Sequence, residues 1–237
     1  SNVGVGTFTN PIGIVADGSG NLYVADSGNH LIRKIVISGP TVSTFTGQVG
    51  VTTFANGGSG AATFNTPYSV ALNGAGTTLY VADYNNHAVR AVDVGTVVTS
   101  TYAGTAGTAG FIDANGVSAA FRNPAGVAVD ASGNVFVSDF GNNAIRMIAI
   151  AGGNAVTTPA GPAASGGSTP GATGSTDGTG TAARFSGPIG IAAKTISAVP
   201  FIFVTDLNNQ LIRKAATASA AAVGNPASPP AAAVGAN

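Results

Sequence analysis

Four aspartates, Asp26, Asp83, Asp139 and Asp206, are each followed seven residues later by an arginine, Arg33, Arg90, Arg146 and Arg213. Gathered in one place, such groups would supply a ring of acid and base functions. Their repetition argues against that use, because a catalytic site needs particular residues at one point and these recur in every copy of one segment. An Asp closing a strand accepts backbone N–H bonds in the turn after it, and an Arg seven positions on can return across a hairpin to pair with it. The eight residues are therefore expected to be structural. The two histidines, His30 and His87, share one turn position that Asn143 and Gln210 occupy in the other copies. A metal site would need imidazoles converging from several repeats, and replacement by amides points to polar turn groups instead. Asp113-Ala114-Asn115-Gly116 and Asp177-Gly178-Thr179-Gly180 are similar to short oxygen-rich calcium loops. With one carboxylate each they fall short of a calcium ligand set, so tight turns are expected.

Residues that are not repeated are better candidates for contact with a partner. Arg122, Arg184, Lys194 and Asp93 qualify on that logic, and Tyr84 and Phe140 are the nearest approach to an aromatic cluster. No nucleophile elbow, phosphate loop or paired-carboxylate motif occurs in the sequence. Neither a cofactor nor a metal is expected.

The elements that must position the Asp–Arg pairs are legible around them. Asn21–Ile35 reads NLYVADSGNHLIRKI and recurs at Thr78–Val92, Asn134–Ile148 and Ile202–Lys214. Each copy is a β-branched and aromatic run ended by Asp, a turn rich in Gly and Asn, then an apolar run carrying Arg, which is the pattern of a hairpin. Phe-x-x-Pro precedes each, at Phe8 and Pro11, Phe64 and Pro67, Phe121 and Pro124, and Phe185 and Pro188. Short apolar strands follow the prolines (Ile12–Ala16, Ser69–Leu72, Gly126–Val129, Gly190–Ala193), continuous enough to be buried on both faces. Last strands richer in Thr and Ser (Thr41–Thr46, Val97–Ala103, Ala155–Ala160) suit a wet outer edge. Successive Asp residues lie 57, 56 and 67 positions apart, so the fourth unit carries an insertion. Four strands per unit is the pattern of a propeller blade.

The units resemble NHL repeats, a β-propeller family. The likeness rests on the Pro-x-Gly-Ile/Val segments Pro11-Ile12-Gly13-Ile14, Pro124-Ala125-Gly126-Val127 and Pro188-Ile189-Gly190-Ile191, on the Tyr/Phe-Val-Ala/Ser/Thr-Asp runs and on the Asn-x-x-Ile/Val-Arg ends. Tyr68-Ser69 departs from it in the second unit, and Lys194–Pro200 replaces the usual turn in the fourth. The resemblance implies an all-β propeller of four four-stranded blades, about 8–63, 64–120, 121–184 and 185–223, the last lacking or borrowing its outer strand. Propeller domain 1–214 would then contain a Gly/Ser/Thr/Pro-rich insertion at 151–181, read as a flexible loop, and be followed by an Ala/Pro-rich tail at 215–237 whose Ala218–Val223 is the one weak candidate for that strand. Such a tail has little to pack unless its own body or a neighbouring copy holds it. Relatives usually close with about six blades, and four is near the lower limit for a ring. Four tight blades, part of a larger ring, and free edges pairing with another molecule all remain open.

Composition narrows the partners. Only 8% of residues are charged, there is no Glu, and nine basic residues balance nine acidic ones, so no field draws the chain to nucleic acid or an anionic membrane. Little like-charge repulsion opposes self-association. No Cys is present, and no apolar run approaches a membrane span. The start at Ser1 and the weakly charged surface lead to the expectation of a secreted or cell-surface protein whose signal peptide has been removed. Asn-x-Ser/Thr is absent, while the Thr and Ser density permits O-linked sugar. The function expected is a non-enzymatic extracellular structural or interaction protein, a homo-oligomeric or polymeric subunit of a filament or surface layer joined through blade edges and tail. The alternatives are a metal-dependent lyase or lactone hydrolase at the axial end of the ring, as the family resemblance allows, and a peptide- or carbohydrate-binding module.

Overall fold

The computed structural model describes residues 7–167, 169–197 and 199–216. Within them fifteen strands form four antiparallel sheets, each built in strict sequence order. The first blade is β1 (Pro11–Ala16), β2 (Asn21–Asp26), β3 (Leu31–Val36) and β4 (Thr41–Gly47). The second is β5 (Pro67–Leu72), β6 (Thr78–Asp83), β7 (Ala88–Asp93) and β8 (Thr99–Ala103), and the third is β9 (Pro124–Val129), β10 (Val135–Asp139), β11 (Ala144–Ala149) and β12 (Ala155–Ala160). The fourth has three described strands, β13 (Pro188–Ile196), β14 (Val199–Asp206) and β15 (Leu211–Ala216). The strand expected at Ala218–Val223 lies outside the described residues, as do most of the tail and residues 1–6.

Each hairpin turn is one short 3-10 turn closed by a residue in the left-handed region, His30, His87, Asn143 and Gln210, at φ between 53° and 60°. The Asp that ends the second strand of each blade sits opposite the Pro that opens the first, in Pro11–Asp26, Pro67–Asp83, Pro124–Asp139 and Pro188–Asp206. Proline suits that place because it lacks the N–H a ladder would use, and a register shift beside each Pro–Asp pair marks a bulge.

The first strands of the blades stand side by side, β1 against β5, β5 against β9 and β9 against β13. Their close approach depends on small residues. A methyl group on Gly13 would come within 2.7 Å of the Ser69 Cα, and one on Gly126 would overlap the Ile189 carbonyl oxygen. The departure at Ser69 keeps a small side chain there, and its hydroxyl accepts the Val127 N–H at 3.3 Å.

Three apolar cores lie between the four blades. Tyr23, Ile32, Phe64, Val70 and Leu79 fill the first seam. Tyr80, Val89, Phe121, Val127 and Val137 fill the second, and Phe136, Ile145, Phe185, Ile202 and Val204 the third. No packing of that extent joins β13 to β1 among the described residues. Among the described residues the array is therefore open between its fourth and first blades. Burial of first strands on both faces accordingly holds for β9 and largely for β5 but not for β1, where Ile12 and Ile14 are exposed.

The insertion contains β12, the strand expected at Ala155–Ala160, and its irregular part is laid on the body by main-chain bonds, with Phe111 N–H donating to Gly167 O at 2.7 Å and Arg184 N–H to Thr176 O at 2.9 Å. The Asn143 side-chain amide adds a bond to Gly171 O at 2.9 Å. Composition read it as a flexible loop because its bonds use backbone, which any sequence carries.

Candidate functional site

The Asp–Arg pairs lie inside the seams. Asp83 Oδ1 accepts the Asn65 backbone N–H at 2.7 Å, and its Oδ2 accepts from Asn86 Nδ2 at 2.9 Å and Arg90 Nη1 at 2.8 Å. Arg90 also donates to the carbonyls of Thr63 and Ala55 and to Asn56 Oδ1. Its guanidinium carbon lies 4.2 Å from the Phe54 ring centre and 5.3 Å from that of Phe64. The third blade repeats this set, with Arg146 bonded to Asp139 at 2.7 Å, to Asp113 at 2.7 Å and to the Ala120 and Ile112 carbonyls, between Phe111 and Phe121. Burial pushes the Asp83 and Asp139 carboxyls up, against the pull of the paired guanidinium.

Two details differ from the sequence reading. The backbone N–H that each Asp accepts comes from the segment before the blade, at Thr9, Asn65, Arg122 and Ser186, and not from the turn that follows. That turn supplies an Asn side chain instead, from Asn29, Asn86, Asn142 and Asn209. The turns read as calcium-like are also spoken for, since Asp113 and Asp177 accept from Arg146 and Arg213. Asn56, Asp113 and Asp177 recur 33 to 36 residues before their Arg, a spacing that would have found them.

The end blades hold the same groups more loosely. Arg33 lies 3.5 Å from Asp26 and Arg213 lies 3.2 Å from Asp206, with side-chain exposures of 13% and 10%, whereas Arg90 and Arg146 have none. The two inner pairs are thus shut off from water and bonded to the segments that meet in their seams.

The histidine position is a latch between blades. His30 Nδ1 accepts the Thr66 N–H at 3.0 Å and His87 Nδ1 the Asn123 N–H at 3.1 Å. Asn143 Oδ1 accepts the Gly187 N–H at 3.0 Å in the third seam. Each acceptor therefore grips the start of the next blade, a role that local sequence hides because the partner is 36 to 44 residues away. Burial, helped by the Arg122 charge, holds His87 below its ordinary value.

The unrepeated candidates do not all meet. Tyr84 stacks on Tyr68 at 5.1 Å and meets Phe140 at 6.1 Å, a half-buried aromatic row from the second blade to the third. Arg122 lies along Gly141. Arg184 donates to the Thr181 and Ala183 carbonyls, and Asp93 accepts two bonds from Thr96 that hold its carboxyl below the usual range. Lys194 is exposed on β13 beside a shallow cleft of about 260 Å³ shared with Asp130, Thr195 and Pro200. The structure brings Tyr84, Phe140 and Arg122 near one another between the second and third blades, while Arg184, Asp93 and Lys194 have other surroundings. Among the described residues no three His, Asp, Glu or Cys side chains are grouped to hold a metal ion, and no helix is long and apolar enough to cross a membrane.

Comparison with known proteins follows the same repeats. The model of the NHL repeat matches residues 8–35 and 121–146. NHL repeat-containing protein 2 of Bos taurus is 33% identical over 93 residues, which are 39% of this chain and 13% of that protein. A Bacteroides thetaiotaomicron protein of unknown function superposes with a TM-score of 0.68 at 21% identity, over 86% of this chain and 46% of that one. An auxiliary nutrient binding protein of Bacteroides ovatus gives 0.66 at 16% identity, over 87% and 48%. A streptogramin B lyase gives 0.50 at 15% identity. The chain thus spans an eighth of the bovine relative and just under half of the first two structures.

Proposed function

Because the chain belongs to the NHL-repeat propellers, we propose that it is a non-catalytic structural or interaction module of the cell surface or extracellular space, a blade array that joins to further blades. One observation carries this reading. The same seam is built three times from one set of parts, and both its halves are left unfilled at the ends of the array. The edge of β15 adds main-chain groups without a strand partner among the described residues, the kind of edge that strand addition satisfies. Surface location is supported by the 8% charge content and by the shared fold of an auxiliary nutrient binding protein. Residues 217–237, a second candidate for the joint, lie outside the described part. Sedimentation velocity across a wide concentration range, followed by electron microscopy, tests the proposal: assemblies larger than the 22.8 kDa chain are expected. Monodisperse monomer at every concentration overturns it.

A further inference from the structure

A seam has three recurring parts. The blade behind contributes an apolar side chain from its third strand, Ile32, Val89 or Ile145, each fully buried. The blade ahead contributes a first-strand side chain opposite its second strand, Val70, Val127 or Ile191, that shares the same core. The left-handed residue of the hairpin turn then accepts the N–H of a second left-handed residue at the start of the next blade, Thr66 at φ 56°, Asn123 at 50° or Gly187 at 64°.

Both ends of the array carry the matching half. At the fourth blade Ile212 occupies the place of Ile145 and is 77% exposed, with Leu207 and Leu211 exposed beside it. Gln210 stands in the latch position at φ 57° with its amide oxygen available as acceptor. A methyl group on Gly190 would meet first the Thr205 side chain of its own blade, where one on Gly13 or Gly126 would meet the backbone of a following blade. At the first blade Ile14 occupies the place of Val70 and is 60% exposed, against 5% for Val70. Asn10 keeps the left-handed backbone, at φ 48°, of the residue whose N–H the latch grips.

We propose that the fourth blade of one chain docks on the first blade of a second copy, and that two such seams close two chains head to tail into one ring of eight blades. The proposal rests on the assembly reading above. What each end lacks is what the other end of the same chain presents, so a second copy is a sufficient partner. A head-to-tail contact closes when its rotation divides the circle and otherwise runs on as a filament. Closure by two copies is favoured because this chain superposes on just under half of two longer solved chains, over 86% and 87% of its own length. An almost uncharged surface offers little repulsion to such a contact.

The chain has no Cys, so introduced thiols report without background. Ile14→Cys and Ile212→Cys both fall on exposed side chains and leave the three internal cores intact. Mixed in equal amounts with a short bismaleimide, the two variants are expected to give a covalent dimer that neither gives alone, and the native particle is expected at twice the chain mass. Ile212→Arg is expected to weaken association at least about tenfold, as loss of a central apolar contact does, with an unchanged thermal transition of the monomer. A chain carrying both Ile14→Cys and Ile212→Cys is expected to stop at the covalent dimer with the same reagent, and a ladder of higher products from it overturns the closed ring while sparing the assembly reading. A particle of dimer mass without the mixed product overturns this seam but not assembly. Monomer throughout overturns both.

Discussion

The seam between the second and third blades and the two outer faces of the array are made from the same sequence pattern, and they differ in what covers them. Val127 is 4% exposed in the seam, whereas its counterpart Ile14 on the outer face is 60% exposed. Arg146 has no exposed side-chain surface and two rings around it, whereas Arg33 has 13% and, among the described residues, one ring, Phe8 at 5.6 Å. The difference teaches that a blade is not a self-sufficient unit. Its strands and turn come from local sequence, but its buried charge and apolar faces are completed by neighbours, as in other repeat architectures.

Removing the carboxylate tests this contrast most strongly. Asp83→Ala leaves Arg90 buried with no carboxylate beside it, since its remaining partners, Asn56 and two main-chain carbonyls, are uncharged, which costs about 3–5 kcal/mol. Asp26→Ala is expected to cost less than half as much, since Arg33 can turn to water. Urea unfolding of both variants measures the pair, and equal losses would show that the end blade is completed as fully as the inner one.

A methyl group placed between blades comes next. Gly126→Ala drives a Cβ into the Ile189 carbonyl of the following blade, an overpacking expected to cost about 1–3 kcal/mol. Gly190→Ala brings a Cβ within 2.9 Å of the hydroxyl of exposed Thr205, which can turn to water at the loss of its bond from the Gly190 N–H, and is expected to cost no more than about 1 kcal/mol. A Gly190→Ala loss matching that of Gly126→Ala, appearing only at concentrations where the protein associates, would mean that a blade also covers the fourth face in solution. That result would sharpen the comparison by turning an outer face into a seam.

The repeat, the hairpins and the Asp–Arg pairing were legible in the sequence because each is written within about fifteen residues. The strand limits read from the apolar runs fall close to those of the structure, for instance Ala155–Ala160 for β12. The seams were not legible. Ile14 and Val127 are equally apolar, and Ile212 looks no different from Ile145, because exposure is set by a residue of another blade, far away in the chain, or by another molecule. The histidines looked like turn groups for the same reason. Their position near the hairpin was visible, but the N–H they grip belongs to the next blade.

That latch offers the smallest and most specific test. His87 Nδ1 must be unprotonated to accept the Asn123 N–H, and burial, with the Arg122 charge behind it, lowers its proton affinity in the fold. The unfolded chain, with an ordinary histidine near 6.5, therefore binds the proton better. By linkage the latch contributes fully above that value and loses its contribution as pH falls through it towards the lower folded value. Asn143 performs the same bond in the third seam with a group that does not titrate there. His87→Asn is accordingly expected to keep most of the stability at pH 7 and to flatten the decline of the urea midpoint between about pH 7 and pH 5. Comparing the two proteins across that range removes the contribution of the buried aspartates, which both share. If the variant and the parent lose stability in parallel, the imidazole is not the acceptor that joins the second blade to the third. If the variant alone is insensitive, the grip between neighbouring blades has been isolated from everything else that holds the array, and Gln210 stands as the same device awaiting its partner.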